Sequence, residues 1–165
     1  MRIIECASHK DFEAIGDLNV RAYAEFAQHL SPGSWDVMQK NLRNIAERAQ
    51  TAEFLISRSD TAVVGSVAYC PPGKGDPTIF KSDMAAVLLL AVHPGYRGNG
   101  LAKVLTEACV SRARNDGASA IGLFTSELMV TAQHIYRSLG FQEESELPSR
   151  HGVRYFRYVL SLAPR

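Results

Sequence analysis

Six residues, Arg97-Gly98-Asn99-Gly100-Leu101-Ala102, carry the clearest chemistry in this chain. They lie between an apolar run, Val87 to Val92, and an amphipathic stretch that begins at Leu101, so they read as the turn between a strand and a helix. Glycines at such a point let the backbone take positive φ and bring several N–H groups to bear on one place. The first turn of the helix adds unpaired donors and a partial positive charge there. A turn of this kind holds an anion, most naturally a pyrophosphate. It is not a Walker loop, because Leu101, Ala102 and Lys103 follow the glycines and no hydroxyl is placed for a magnesium ion. Nor is it a dinucleotide fingerprint: Asp116 has about the right separation but falls at the end of a helix and not on a second strand.

The elements that must position this turn follow from the hydrophobic pattern. A first strand is expected near Arg2 to Cys6, then a capping box at Ser8 and Asp11 and a helix carrying Phe12, Ile15, Leu18, Ala22 and Phe26 on one face. Ser31-Pro32-Gly33 breaks that helix, and Ser34 caps a second with Val37, Leu42, Ile45 and Ala49. Phe54 to Ile56 and Val63 to Tyr69 read as strands joined at Ser59-Asp60. Pro71 to Pro77 is a long connection inside the domain, ahead of the strand that ends at Val92. Leu101, Val104, Leu105, Ala108 and Cys109 form one helical face that Gly117 terminates. Ala120 to Thr125 is a strand, Thr131 to Leu139 a helix closed by Gly140, and Phe141 to Leu162 a hairpin that turns before Val153. The order βααββ-βαβαββ describes an α/β fold: one domain over 1–165, a mixed and mostly antiparallel sheet flanked by helices, with one parallel crossover around the glycine turn.

Arg97, Gly100 and Ala102 occupy the three fixed positions of the pattern Arg/Gln-x-x-Gly-x-Gly/Ala, and the segment resembles motif A of the GNAT superfamily of acyl-CoA-dependent N-acyltransferases. Leu90 to Tyr96 is similar to the family's strand into that loop. Ala132 with Tyr136-Arg137-Ser138-Leu139-Gly140-Phe141 is similar to its second signature, Ala-x-x-x-Tyr-x-x-x-Gly-Phe. The two signatures organise about the last half of the chain.

The resemblance implies transfer of an acetyl group from acetyl-CoA to an amine of a small molecule or a peptide. The main chain of Leu90, Ala91 and Val92 would pair with the pantetheine arm, and the N–H groups of Arg97, Gly98, Asn99, Gly100, Leu101 and Ala102 would take the pyrophosphate. Arg97 either adds a charge-assisted contact or braces the turn. Tyr136 stands where the family places a tyrosine near the sulfur, and a phenol with a pKa near about 10 can protonate a leaving thiolate. The general base is left open: many relatives carry a glutamate where this chain has Ala86, which leaves a bound water, Asp83, Glu127, Glu25 or His29. Met129 replaces an asparagine that relatives use toward coenzyme A. Between the first two helices and the last hairpin, Tyr23 and Trp35 are candidates to line the acceptor pocket, and Phe26 reads as core. A non-catalytic acyl-CoA-binding or regulatory domain and a transferase of a longer acyl group are the alternatives.

Composition bounds the rest. A chain of 165 residues with 46% hydrophobic and 21% charged residues has the balance of a globular domain. A net charge of +1 gives no electrostatic reason to expect nucleic acid. No apolar run is long enough for a membrane span, and Met1-Arg2-Ile3-Ile4-Glu5 lacks the features of a signal peptide, so a cytoplasmic protein is expected. Cys6, Cys70 and Cys109 fit reduced thiols, and the five histidines show no ligand spacing, so no metal is expected. Tyr155, Phe156, Tyr158 and Val159 on the last hairpin suggest an open apolar edge and hence a homodimer.

Overall fold

Alternation along the central strands decides the layering. In the computed structural model, which describes residues 3–162, Leu55, Val67, Tyr69, Ala85 and Val87 point to one face of a sheet, and Phe54, Ile56, Ala68, Cys70 and Ala86 to the other. On the second face lie α1 (Phe12–Tyr23), α2 (Ser34–Arg43) and the short α3 (Ile45–Arg48), which bury Ile15, Leu18, Ala22, Leu42 and Ile45. On the first lie α4 (Leu101–Asn115) and α5 (Val130–Ser138), which bury Leu101, Leu105, Cys109 and Tyr136. Gly65 sets how close α4 comes, because a Cβ there would stand 2.8 Å from Leu101 Cδ2. Burying these side chains contributes roughly 1.5–3 kcal/mol each and fixes which helix face turns inward.

The strands are β1 (Glu5–Cys6), β2 (Glu53–Ser59), β3 (Ala62–Cys70), β4 (Met84–Val92), β5 (Ala120–Ser126), β6 (Gln142–Arg150) and β7 (Val153–Ser161). They form one sheet in the order β1-β2-β3-β4-β5-β7-β6, in which only β4 and β5 run parallel. The single α/β domain with a mostly antiparallel sheet is the architecture the sequence implies. Arg2, expected at the start of the first strand, lies outside the described residues. The first helix ends at Tyr23 and continues as a 3-10 turn over Ala24–His29, so Phe26 does not extend the helical face as its spacing suggested.

Two irregularities in β4 shape the site. Its pairing with β5 runs only from Met84–Ala86 to Ala120–Gly122, after which β5 stays with β7 and the two strands part. Ala68 faces Leu88 and Ser66 faces Ala91, so two residues of β4 stand against Val67 in a β-bulge. Leu89 sits in that bulge at φ 55°, a conformation that costs a leucine about 1–2 kcal/mol. As a result Leu88 and Leu89 both pack toward the α1 face, and the alternation of the strand is reset before Leu90.

Tyr155, Phe156, Tyr158 and Val159 do not form an open edge. They lie on β7, an inner strand, and Tyr158 is fully buried. The edges are β1 and β6, and β6, next to β7, is polar, with Glu144 and Glu146 paired to Arg157 and Arg154 of β7. The ground for expecting a homodimer is therefore corrected. Among the described residues no helix is long and apolar enough to cross a membrane, and no group of three or more His, Cys, Asp or Glu side chains is arranged to hold a metal ion.

Candidate active site

The glycine turn takes the conformation its residues call for. Gly98 and Gly100 have φ of 82° and 78°, and Gly100 in the left-handed region opens α4, its carbonyl accepting the Val104 N–H at 3.0 Å. No backbone N–H from Gly98 to Lys103 goes to another main-chain carbonyl among the described residues. Of these residues Gly98, Gly100, Leu101, Ala102 and Lys103 line a cleft of about 600 Å³ between α4, α5 and the end of α1, together with Leu90, Ala91 and Val92. Asn99 is exposed and does not line the cleft. Lys103, which the sequence reading did not single out, adds a positive charge beside the helix N-terminus, where an anion is already favoured.

Arg97 braces this wall. One guanidinium nitrogen reaches Glu25 at 2.7 Å and the other the Ala22 carbonyl at 3.0 Å, so it ties the glycine turn to the end of α1. His93 holds the approach: its main-chain N–H donates to the Val64 carbonyl at 2.8 Å and its Nδ1 accepts the Gly95 N–H at 3.0 Å.

A second cavity of about 180 Å³ lies on the α2 side of the gap between β4 and β5. Tyr23, Phe26, Leu90, Leu128 and Met129 line both spaces, so the two meet at the bulged end of β4. Tyr136 lines the smaller one. Its ring packs 5.9 Å from Phe141 and 6.4 Å from Tyr158, and it is 5% exposed. Burial, then the neighbouring Tyr23 and Cys109, push its pKa above that of a free phenol, so it stays protonated at neutral pH. Tyr23 donates its hydroxyl hydrogen to the Leu90 carbonyl at 2.9 Å. Trp35, half-buried on α2, lines neither space; Met38, Asn41 and Leu42 of the same helix line the smaller one instead.

None of the four side chains named as candidate bases lies in the smaller cavity. Asp83 accepts the Ser119 hydroxyl at 2.6 Å at the far end of β4, and that bond holds its carboxyl below the usual range. Glu127 accepts the Arg154 N–H at 2.6 Å, Glu25 pairs with Arg97, and His29 is exposed beside Gln28. Ala86 is buried among apolar side chains of the α1 face. His151 lines the cavity, where it is the one imidazole and no carboxylate lines it among the described residues. It sits with Gly152 at the β6–β7 hairpin tip, φ 56° and 79°, the positive pair of a type I′ turn. The Ser31 N–H donates to its carbonyl at 2.8 Å, which docks the tip against the loop before α2. The sequence carries a signal for this turn, a His-Gly pair between two strands, but none for its packing against residue 31.

The model of the acetyltransferase (GNAT) family matches residues 12–141. Human N-acetyltransferase 8B is 33% identical over 93 residues, 56% of this chain and 40% of that protein. The mycothiol acetyltransferase of Thermobispora bispora is 30% identical over 136 residues, 80% of this chain and 43% of that protein. The chain thus spans less than half the length of either relative. The structure of a GNAT family acetyltransferase from Brucella melitensis in complex with acetyl-CoA superposes with a TM-score of 0.68 at 18% identity, covering 99% of this chain and 90% of that one, a likeness of fold. With the family model spanning most of the chain and both signature turns in place, the chain belongs to the GNAT acetyltransferase family.

Proposed function

We propose that the protein transfers the acetyl group of acetyl-CoA to a primary amine of a small molecule or peptide by direct attack. The observation that carries this reading is the parting of β4 and β5 at the Leu89 bulge, where the cleft behind the glycine turn meets the cavity lined by Tyr136. The free N–H groups of the turn and Lys103 fit a pyrophosphate, and the β4 edge from Leu90 to Val92 fits an amide-rich arm. When bound, acetyl-CoA supplies a thioester carbonyl open to a neutral amine, with a thiolate as leaving group. His151, directly or through a water, takes the proton that the attacking nitrogen sheds. Tyr136 gives its proton to the departing sulfur and recovers one through solvent, so amine and thioester become amide and thiol with no net proton change. The name of one relative, N-acetyltransferase 8B, supports an amine acceptor.

Release of free thiol from acetyl-CoA across a library of amines tests the proposal. Amine-dependent release is expected. Acetyl-CoA binding with no amine-dependent release would establish the non-catalytic reading, which draws its support from Ala86. Faster release from a longer thioester would replace acetyl by another acyl group.

A further inference from the structure

The arginines differ in their partners, Arg21 and Arg137 bonding to His93 and the Tyr158 hydroxyl. Arg43, Arg58, Arg97, Arg112, Arg154 and Arg157 each hold a carboxylate. Arg48 of α3 and Arg150 of the β6–β7 tip pair with no acid and make no side-chain hydrogen bond among the described residues, and both line the smaller cavity. The Arg150 guanidinium lies 5.3 Å from the centre of the Phe124 ring, which steadies it without neutralising it. The cavity is therefore lined by two guanidinium side chains and by no carboxylate among the described residues; the Asp76 carboxylate, outside the lining, feels the charge of Arg150. A second observation concerns Thr125, which lines the same space, is 3% exposed and has a buried Oγ1 without a partner. A buried hydroxyl left unpaired is costly, and a bound polar group relieves that cost.

A cationic acceptor such as a polyamine would meet like charge at Arg48 and Arg150. An acceptor with an anionic group would meet two donors built for planar oxyanions. Much of the remaining lining, including Phe26, Leu30, Phe124 and Tyr155, is apolar or aromatic, with Asn41, Ser126 and His151 as its other polar members. At about 180 Å³ the cavity is smaller than the roughly 300–1,000 Å³ of drug-sized sites, which matches a ligand of amino-acid size.

We propose that the acceptor is a free amino acid with an apolar side chain, its carboxylate held between Arg48 and Arg150 while its amine faces the gap between β4 and β5. The proposal rests on the acetyltransferase reading and names its substrate class.

The test compares one apolar amino acid with its amide, its decarboxylated amine and its aminophosphonate, and with a peptide that begins with the same residue. The free amino acid is expected to have kcat/KM at least about tenfold above each of the others, the value of one good charge-assisted pair. In Arg48→Gln and Arg150→Gln the ratio of amino acid to amide is expected to fall toward one, chiefly through KM for the amino acid. Arg150→Lys, which keeps charge but not the fork, should recover part of it. Equal use of acid and amide, preference for the phosphonate or the peptide, or a ratio untouched in both variants would overturn the proposal while leaving the transferase intact. If no amine releases thiol, the amino acid alone is added in a melting experiment. A rise in Tm that both variants lose supports the carboxylate site even as the transferase reading fails, and no rise overturns the site as well. Retention of the acetyl-CoA-induced rise in Tm by the variants shows that they are folded.

Discussion

The Tyr23 hydroxyl donates to the Leu90 carbonyl at 2.9 Å, a bond from the end of α1 to the β4 edge just past the bulge. It holds the one stretch of β4 that has lost β5 as a neighbour, and Tyr23 stands where the two spaces meet. Burial raises the Tyr23 pKa, so the donor is present at any physiological pH.

Tyr23→Phe keeps the ring and removes this bond. The loss should cost about 1 kcal/mol, a fall in Tm of about 2–4 °C for a chain of this size. Calorimetry on the two proteins checks it. An unchanged Tm would mean that water replaces the hydroxyl and that the β4 edge needs no brace from α1.

Gly100→Val probes the anion site. A Cβ on Gly100 would meet no atom within 4 Å, so the change acts through the backbone: φ of 78° is costly for a β-branched residue, and the turn must reshape. At a hundredfold excess over Kd, acetyl-CoA should stabilise the native protein by about 2.7 kcal/mol. The variant should fold and lose that shift. A shift of the original size would place the pyrophosphate elsewhere.

Much of this site is legible in residue types because backbone constraints are written there. Gly98, Gly100 and Gly140 stand where φ is positive, and the sequence alone marks both turns. The Leu89 bulge left no such mark, since leucine is not a residue that announces φ of 55°. Trp35 lines neither space, since aromatic character does not say which turn of α2 faces the cavity; Met38, Asn41 and Leu42 line the smaller one. Arg48, Arg150 and His151 come from two elements about a hundred residues apart, and the packing of the hairpin tip on the loop before α2 brings them to one cavity.

His151→Gln tests the assigned base. Glutamine keeps a polar group of similar reach and cannot take a proton, so kcat should fall about 10²-fold, the lower end for a general base, with acetyl-CoA affinity unchanged. The loss should shrink for an acceptor whose amine has a low pKa, because the nitrogen then sheds its proton to water more readily once it attacks. The same loss for every acceptor, or none, would assign the imidazole to positioning the hairpin tip.

Tyr136→Phe is the sharpest test of the chemistry. The ring's packing against Phe141 and Tyr158 survives the change, so stability and acetyl-CoA affinity should stay close to those of the native protein. Only the proton donor disappears. Burial raises the pKa of the phenol above its ordinary value of 10.0, which keeps it protonated and competent as an acid throughout the neutral range and rules it out there as a base. The expected fall in kcat is about 10²-fold, equivalent to about 2.7 kcal/mol of transition-state stabilisation. Because a coenzyme A thiolate is itself a fair leaving group, the size of the loss measures how much the departing sulfur depends on a donor. If kcat for the best acceptor stays within about twofold, water protonates the sulfur, and Tyr136 serves the site by packing between Phe141 and Tyr158.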